Sequence, residues 1–332
     1  MTADPLVIVG AGAWGTALAN AAAQAGRAVT LVARDPEHAG TMQAARENMR
    51  FLPGAPLHAA VTVTADLGAV AAARALLLVV PAQALREAAR ALAPRVAAGT
   101  PVVICAKGIE RTSSRFMSDV VGEELAAAVP AVLSGPSFAE DVVRGLPTAV
   151  VLACAQEETA RSLAAALASP AFRIYHGTDV RGVEIGGAAK NVLAIACGIV
   201  MGCGLGESAR AAMVARGFAE LMRFARALGA RPETLMGLSG LGDLVLTCGS
   251  AKSRNFAFGE ALGRGVPLAE ASGGKLAEGA FTAAALVTMA GRHGVEMPIS
   301  EAVAALVAGE MSVEAAIGAL LNRPIRAEHE II

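Results

Sequence analysis

The amino-acid sequence predicts an α/β fold in which an open, doubly wound sheet is followed by an all-α domain. In the first half of the chain, short continuous apolar runs alternate with Ala-rich helical stretches. This pattern is typical of parallel strands that are covered on both faces. After Gly177 strand-like runs become scarce, and Ala-, Leu- and Met-rich helices separated by Gly and Pro take over. We therefore expect two domains, 1–180 and 181–332.

Each predicted strand is a short apolar run bounded by turn residues. The predicted strands are Leu6–Val9, Val29–Ala33, Leu76–Val80, Val102–Cys105, Ala131–Leu133, Ala149–Leu152 and Phe172–Tyr175. The helices predicted between them are Thr16–Ala25, Gln83–Leu92, Ser114–Ala128 and Glu157–Leu167. The helices predicted in the second domain are Val183–Met201, Ala209–Leu228, Phe256–Leu262, Phe281–Arg292, Ile299–Val307 and Val313–Leu320. Repeated β–α units imply right-handed crossovers with helices on both faces of the sheet.

Composition excludes several classes of partner. Hydrophobic residues make up 55% of the 332 residues and aromatic residues 3%, so aliphatic and Ala side chains must fill the core. The net charge is −1 and no basic block stands out, which argues against nucleic acid or an anionic membrane surface as the main partner. The five cysteines form no C-x-x-C pair, so we expect buried thiols in a reducing compartment and no metal site.

The segment Pro5–Gly26 carries no charge and is long enough to suggest a signal peptide or a membrane span. Its apolar stretch is interrupted by glycines and amides, and Asp4 is the only charge before it. A buried strand, turn and helix explains the segment better. We therefore expect a cytoplasmic protein without stable membrane insertion.

A glycine-rich turn follows the first predicted strand and opens the first predicted helix, with Gly10, Gly12 and Gly15 in a G-x-G-x-x-G pattern. This context distinguishes a dinucleotide-binding loop of a Rossmann-like domain from an ordinary Gly turn. Gly10 permits the tight turn, Gly12 lets the backbone approach the pyrophosphate, and Gly15 allows close packing of helix on sheet. The phosphates would meet N–H groups at the helix N-terminus.

The end of the second strand is where such domains distinguish NAD from NADP. Arg34 can pair with the 2′-phosphate of NADP, because its guanidinium offers several donors in a fixed fork. The neighbouring Asp35 keeps binding of the NAD ribose possible. We therefore predict NADPH/NADP as the preferred cofactor, with NADH/NAD tolerated. A solvated surface arginine is the alternative interpretation.

Further motifs extend over nearly the whole chain. In chain order they are 48–54, 80–81, 106–110, 134–140, 145–149, 182–191, 216–217, 240–248, 253–255, 278–279 and 296–299. With these motifs the sequence resembles the bacterial NAD(P)-dependent glycerol-3-phosphate dehydrogenases. The pairs Lys190-Asn191 and Gly242-Asp243 and the triplet Ser253-Arg254-Asn255 make the resemblance specific.

The resemblance implies a Rossmann-like domain joined to a helical domain and the reduction of dihydroxyacetone phosphate to sn-glycerol 3-phosphate, which supplies glycerophospholipid synthesis. It also implies a set of cofactor contacts beyond the glycines. These residues are Ala13, Trp14, Ala139, Arg254, Leu276 and Glu278.

Lys190 is the strongest catalytic candidate, because it lies in an otherwise apolar predicted helix. A lysine is costly to bury there without a partner, and burial lowers its pKa toward the range useful for proton transfer. Its ammonium form could protonate the substrate alkoxide during reduction, and its neutral form could take that proton in the reverse reaction. A lysine that extends along the helix to solvent is the alternative.

Asp243 lies in a Gly-rich segment that we predict to be a turn, and either of two roles suits it. It could keep Lys190 charged, or it could bind a substrate hydroxyl; a turn-forming aspartate is the structural alternative.

Substrate binding is predicted at three further places. Lys107 follows a strand's C-terminal end, where open α/β sheets place ligands, so it could reach both the substrate oxygens and the cofactor. The turn from Gly135 to Ser137 can present N–H groups and a hydroxyl. The triplet Ser253, Arg254 and Asn255 precedes a helix, so its donors fit a phosphate.

Three alternative functions fit the sequence less well: a β-hydroxyacid dehydrogenase, a ketopantoate reductase and a non-enzymatic NAD(P)H sensor. The β-hydroxyacid dehydrogenases place a Lys and an Asn four residues apart on one helical face, whereas Asn191 directly follows Lys190 here. A ketopantoate reductase does not need the triplet 253–255, and a non-enzymatic NAD(P)H sensor needs only the Gly loop. As partners we expect a small phosphate-bearing substrate and a second copy of the chain, in a homodimer built through packing of Ala-rich helices.

Overall fold

The computed structural model describes residues 5–273, 277–324 and 327. The chain divides into two compact units. The sheet unit contains Met1–Ala106 and Met117–Val180, and the helical unit contains Lys107–Phe116 and Arg181–Ile332. The predicted boundary differs from this division in the segment 107–116. That segment joins the helical unit because its apolar side chains Ile109 and Phe116 are buried in the helical unit's core.

The sheet unit is built on a continuous eight-stranded sheet. The strands of the sheet unit are β1 (Leu6–Val9), β2 (Val29–Val32), β3 (Glu47–Asn48), β4 (Leu52–Pro56), β5 (Val61–Thr64), β6 (Ala75–Leu78), β7 (Pro101–Ile104), β8 (Val129–Ser134), β9 (Thr148–Cys154) and β10 (Phe172–Gly177). Of these, β3 and β4 form a separate two-stranded ribbon, and the others form the eight-stranded sheet. The order across the sheet is β10-β9-β8-β7-β6-β1-β2-β5. The reversal of strand order around β1 is the arrangement of a doubly wound sheet.

Strand direction departs from the sequence prediction at one place. Within the eight-stranded sheet, neighbouring strands are parallel except β8 and β9, which pair antiparallel with Ala131 opposite Cys154. The expectation of parallel pairing was wrong there, because a continuous apolar run indicates burial on both faces and does not indicate direction. The strand β5 was missed because it lies at the sheet edge, where its residues alternate between buried and more exposed.

Helices connect most of these strands. They are α1 (Ala13–Gln24), α2 (Pro36–Ala45), α3 (Leu85–Leu92), α4 (Met117–Glu124), α5 (Ala139–Val143) and α6 (Glu157–Leu167). The helix α2, which the apolar pattern did not predict, begins with two strong local signals. The Asp35 carboxylate accepts the backbone N–H of Glu37 at 3.1 Å, and Pro36 occupies the first helical turn.

The helical unit is formed by the remaining helices. They are α7 (Val180–Gly202), α8 (Gly206–Ala227), α9 (Pro232–Met236), α10 (Asp243–Cys248), α11 (Arg254–Gly263), α12 (Leu268–Ala271), α13 (Glu278–Arg292), α14 (Pro298–Ala308) and α15 (Val313–Leu321). Of the described helices, α7 alone has the length and apolar composition to cross a membrane, with a mean hydropathy of 1.6. However, 89% of that stretch is buried, as expected for a helix at the centre of a protein core.

Small residues let α11 lie directly on α7. A Cβ placed on Gly198 of α7 would lie 2.1 Å from the carbonyl oxygen of Phe256. A Cβ on Gly259 of α11 would lie 2.1 Å from the carbonyl oxygen of Ile195. Real Cβ atoms do not approach backbone oxygens so closely, so glycine is required on both sides of the contact. The close approach fixes α11 on the helix that carries Lys190.

Candidate active site

The side chains of Lys190, Asp243 and Lys107 form a buried charge cluster within the helical unit. Lys190 Nζ donates to Asp243 Oδ1 at 2.6 Å, and Lys107 Nζ donates to Asp243 Oδ2 at 2.7 Å. Only 9% of the Lys190 side chain and 1% of the Asp243 side chain are exposed, against 17% for Lys107. Because two cations share one carboxylate, the cluster carries an excess positive charge. Asp243 thus contacts Lys190, as one of its two predicted roles requires, and Lys107 joins them.

The backbone around Asp243 explains why this carboxylate reaches both lysines. A π-helical turn, Leu238–Gly242, precedes α10, and Asp243 is the first residue of α10. The expectation of a simple turn at Asp243 was therefore wrong. The turn lies against α7, since a Cβ on Gly186 would be 2.4 Å from the carbonyl oxygen of Ser239. Insertions of this kind into helices are frequent at functional sites.

Thr247, which was not among the residues predicted from the sequence, completes the cluster. Lys190 Nζ donates to Thr247 Oγ1 at 2.9 Å, and Thr247 Oγ1 donates to Asp243 Oδ1 at 3.3 Å. Thr247 lies four residues after Asp243, so one turn of α10 presents both side chains to the lysine. That spacing was the available signal, but the residues 243–248 were not recognised as a helix.

Burial and charge act in opposite directions on these groups. Burial is the largest influence on Lys190 and lowers its pKa; Asp243 raises the pKa and Lys107 lowers it further, to about 8. Burial raises the pKa of Asp243, but the two lysines outweigh it and leave that pKa below its ordinary value. Asp243 is therefore ionised near neutral pH, while Lys190 can exchange its proton there.

A chain of amide hydrogen bonds links the cluster to the start of α13. Asn191 Nδ2 donates to the carbonyl oxygen of Lys107 at 3.4 Å, and Asn255 Nδ2 donates to Asn191 Oδ1 at 3.0 Å. The backbone N–H of Gly279 then donates to Asn255 Oδ1 at 2.9 Å. Asn255, which we expected to bind substrate, thus also holds together three elements around Lys190.

The triplet 253–255 forms the N-terminus of α11, as its sequence suggested. Ser253 is the N-cap, and its hydroxyl accepts the backbone N–H of Phe256 at 3.3 Å. Arg254 is exposed in the first helical turn. Glu278 occupies the corresponding position at the start of α13. Leu276, which the resemblance also implied, lies outside the described residues.

Within the sheet unit, the Gly-rich turn has the shape that a dinucleotide requires. Gly10 has φ +116°, and a Cβ on it would lie 2.3 Å from the carbonyl oxygen of Val79. A Cβ on Gly15 would lie 1.8 Å from the carbonyl oxygen of Gly10. Nothing lies within 4 Å of the position a Gly12 Cβ would occupy, and Gly12 caps α1 without a side-chain acceptor. Gly10 and Gly15 are thus needed for packing, and Gly12 leaves an open cradle that fits a pyrophosphate.

The remaining predicted residues of this unit lie at three places. Ala13 and Trp14 form the first turn of α1, and Trp14 packs edge-on against Phe172 with ring centroids 6.5 Å apart. Arg34 is exposed just beyond the end of β2. The segment from Gly135 to Ala139 follows β8 and leads into α5.

The turn after β8 is strained in a way that only glycine accommodates. Gly135 has φ +141°, and a Cβ there would lie 2.9 Å from the Cα of Val150. Ser137 Oγ donates to the carbonyl oxygen of Gly135 at 3.1 Å, which closes the turn. The Ser137 hydroxyl, which is predicted to bind substrate, therefore forms a hydrogen bond within the turn.

Comparison with known proteins gives a consistent result for both units. Residues 5–160 match the family model of the NAD-dependent glycerol-3-phosphate dehydrogenase N-terminus, and residues 179–318 match that of its C-terminus. Glycerol-3-phosphate dehydrogenase (NAD(P)+) of Methylobacterium radiotolerans is 63% identical over 325 residues, which cover 98% of each chain. That of Azorhizobium caulinodans is 64% identical with the same coverage. The crystal structure of glycerol-3-phosphate dehydrogenase from Coxiella burnetii superposes with a TM-score of 0.92 at 39% identity, covering 97% of this chain and 100% of that one. The chain therefore belongs to the NAD-dependent glycerol-3-phosphate dehydrogenase family.

Proposed function

We propose that the chain reduces dihydroxyacetone phosphate to sn-glycerol 3-phosphate with NADPH or NADH, reversibly, and so supplies the backbone of glycerophospholipids. The observation that carries the proposal is the buried cluster of Lys190, Asp243, Thr247 and Lys107. Its excess positive charge suits an oxygen that gains negative charge during reduction. Its lysine of lowered pKa suits the proton transfer that accompanies the reduction.

Lys190 is the residue that we assign to the proton. When bound, the nicotinamide cofactor supplies the hydride for C2 of the substrate. Two of the three Nζ donors of Lys190 bond to Asp243 and Thr247, and the third is the one we assign to the oxygen on C2. In reduction the ammonium gives its proton to that oxygen, and in oxidation the neutral amine accepts it.

The neighbours of Lys190 set its orientation and charge. Asp243 and Thr247 fix the direction of Nζ, and the Asp243 carboxylate favours the protonated lysine. Lys107 supplies a second positive charge for the substrate oxygens, and its cofactor contact belongs to the same proposal. The alternative role of Asp243, binding of a substrate hydroxyl, competes with its two lysine bonds.

The phosphate of the substrate requires donors at a separate place. We assign it to Arg254 and the N-terminus of α11, with Ser253 and the second amide hydrogen of Asn255 beside it. Gly135 and Ser137 stay in the proposal as a turn that offers backbone N–H groups to the substrate. Glu278, Ala139 and the first turn of α1 are assigned to the cofactor.

For the cofactor, we propose a preference for NADPH. The Asp35 carboxylate caps α2, so it is engaged and less able to bind the ribose hydroxyls of NADH. Arg34 is the exposed cation beside it and suits a 2′-phosphate. Comparing kcat/KM for NADPH and NADH tests this preference, and a clear preference for NADH would contradict it.

The proposed reaction is tested by following NADPH absorbance in the presence of dihydroxyacetone phosphate. Oxidation of NADPH above background, absent with unphosphorylated dihydroxyacetone at the same concentration, is the expected result. No oxidation with either compound would refute the enzymatic function. We also propose that the protein is a homodimer, which sedimentation equilibrium tests. We propose a cytoplasmic location as well, which cell fractionation tests.

A further inference from the structure

The segment Lys107–Phe116, here called the Lys107 hairpin, leaves β7 of the sheet but belongs to the helical unit. Its two arms meet in an antiparallel bridge between Ile109 and Phe116. Backbone hydrogen bonds close its tip, from Glu110 N to Arg115 O and from Ser114 N to Glu110 O, each at 2.9 Å. Ile109 and Phe116 are fully buried in the helical core. The hairpin is therefore an ordered element whose placement depends on the helical unit.

The first residue of the hairpin is the second lysine of the charge cluster. A lysine side chain has a long flexible stem, so its backbone must be held for Nζ to stay on Asp243. Asn191 holds the carbonyl of Lys107 at the start of the hairpin, but only at 3.4 Å. The hairpin is also anchored at its other end, where Phe116 is buried in the helical core.

Arg181 covers Phe116 from the first turn of α7. Its guanidinium carbon lies 4.2 Å from the centre of the Phe116 ring, which is closer than any other cation–ring contact in residues 5–273, 277–324 and 327. Arg181 also forms an ion pair with Glu184 at 3.3 Å, and the Glu184 side chain is 4% exposed. A guanidinium held in this way against a buried ring is a strong cation–π arrangement. The helix that carries Lys190 thus also fixes the hairpin that carries Lys107.

We propose that Arg181 is a positioning residue for the reaction, which holds the Lys107 hairpin through Phe116 and so keeps Lys107 on Asp243. The inference rests on the proposed function, because it assigns Lys107 to the reacting site. Arg181 contacts Phe116, at the end of the hairpin opposite Lys107, so the proposed effect passes through the hairpin.

The charge cluster predicts a signature for this role that loss of stability alone would not produce. The positive charge of Lys107 lowers the pKa of Lys190, whereas Asp243 raises it. If the hairpin loosens, Lys107 Nζ moves away from Asp243, and Lys190 is then the only one of the two lysines that pairs with this carboxylate. Lys190 then keeps its proton to higher pH. Among the groups that act on Lys190, Thr247 and Cys248 lie on α10 and are unaffected by the hairpin.

The primary test replaces Arg181 by methionine, which keeps the apolar stem and removes the charge. Arg181→Met is expected to lower kcat/KM for dihydroxyacetone phosphate by about tenfold. Its pH profile for reduction should lose activity at a higher pH than that of the unaltered protein. Arg181→Lys, which keeps a cation over the ring, should restore most of the activity. The matched control is Arg173→Met, since Arg173 lies over the exposed Tyr175 ring at 5.8 Å in the sheet unit.

A double substitution decides whether Arg181 acts through Lys107. Lys107→Met combined with Arg181→Met should be no worse than Lys107→Met alone, because the hairpin then has no lysine to position. Fully additive losses, or an Arg181→Met variant that behaves like Arg173→Met with an unshifted pH profile, would overturn the inference. Phe116→Leu removes the ring from the other side and serves if Arg181→Met does not fold. The proposed function fails if the unaltered protein does not reduce dihydroxyacetone phosphate. Only the inference about Arg181 fails if Lys107→Met is impaired while the Arg181 and Phe116 variants keep full activity.

Discussion

At the scale of single residues, one buried carboxylate is shared between two lysines, to which we assign different roles. Asp243 accepts Lys190 on one oxygen and Lys107 on the other. Burial lowers the pKa of Lys190 to about 8, although the Asp243 carboxylate acts to raise it. Lys190 is the more buried of the two lysines, which supports the proposal that it exchanges the proton while Lys107 supplies charge.

Substitution of Lys190 tests the proton-transfer role directly. Lys190→Met should lower kcat at least about a hundredfold, because general acid–base catalysis supplies 10²–10⁴-fold. Lys190→Arg should be similarly impaired, because arginine keeps the charge but does not release its proton. The dissociation constant for NADPH, measured by fluorescence, should stay close to that of the unaltered protein. Retention of more than about a tenth of kcat would contradict the role.

The pH dependence should differ between the two directions of the reaction. Reduction needs the protonated amine, so its kcat should fall as the pH rises through about 8, the pKa of Lys190. Oxidation of glycerol 3-phosphate needs the neutral amine, so its kcat should rise over the same range. Steady-state rates in both directions at constant ionic strength measure this. Parallel profiles in the two directions would exclude Lys190 as the titrating group.

At the scale of elements, the site depends on short contacts between helices. Glycines let α11 lie on α7 and let the turn before α10 lie on the same helix. The amides of Asn191 and Asn255 then link α7, α11 and the start of α13. Small side chains at these crossings thus determine where the polar groups meet.

Gly259→Ala should destabilise the helical unit by about 1–3 kcal/mol, as is typical of overpacking. The added Cβ would meet the carbonyl oxygen of Ile195 at 2.1 Å, and a helix backbone cannot yield as a flexible side chain would. Gly318→Ala in α15 is the control, since nothing lies within 4 Å of its Cβ position. The control should be neutral or stabilising by up to about 1 kcal/mol, as Ala is the better helix former. Urea denaturation measures both, and equal effects would contradict the packing argument.

Glu220 on α8 should make stability depend on pH, independently of catalysis. Its carboxylate accepts the N–H groups of Ile299 and Ser300 at the start of α14, and burial, outweighing these bonds, raises its pKa to about 7. Because this pKa is higher in the folded state, its stabilisation is complete below pH 4.5, the ordinary value, and is lost as the pH rises through about 7.

Between about pH 5 and about pH 8, the unaltered protein should lose about 2–3 kcal/mol of stability relative to Glu220→Gln, which cannot ionise. Glu310→Gln, at an exposed position after α14, is the control and should retain the pH dependence. Urea midpoints at both pH values provide the measurement. The same pH dependence in Glu220→Gln would rule out this carboxylate as its source.

At the scale of the whole molecule, the Gly-rich cradle and the buried lysine cluster belong to different units. The cradle for the pyrophosphate and the residue assigned to NADP specificity lie in the sheet unit. The lysines, Asp243 and Thr247 lie in the helical unit, because the Lys107 hairpin is part of it. Substitutions in the two units should therefore affect different kinetic constants.

Arg34→Ser should lower kcat/KM for NADPH by about ten- to a hundredfold, since a charge-assisted phosphate bond is lost. The value for NADH, which lacks the 2′-phosphate, should change far less. The pH profile of reduction at saturating cofactor should not move, because Lys190 is untouched. Arg95→Ser, at another exposed arginine of the sheet unit, is the control. Equal losses with both cofactors would contradict the assignment of Arg34.

Local patterns were sufficient for much of the fold and for the choice of candidate residues. Continuous apolar runs located β1, β2, β6 and β7, and the predicted helix Glu157–Leu167 has the bounds of α6. The Gly turn and Lys190 stood out because each departs from the pattern around it. Such signals depend on a few neighbouring residues, so they can be read along the chain.

Contacts between distant segments could be decided only by the folded chain. The antiparallel direction of β9, the assignment of Lys107–Phe116 to the helical unit, and the meeting of Lys107 with Lys190 on Asp243 each join positions far apart in sequence. A buried segment is apolar whichever neighbouring element covers it, so the sequence pattern does not specify the element against which it packs. The same holds for Lys190: its place in an apolar helix is visible in the sequence, but its partners, and hence its pKa, depend on the packing of α10 and the Lys107 hairpin against α7.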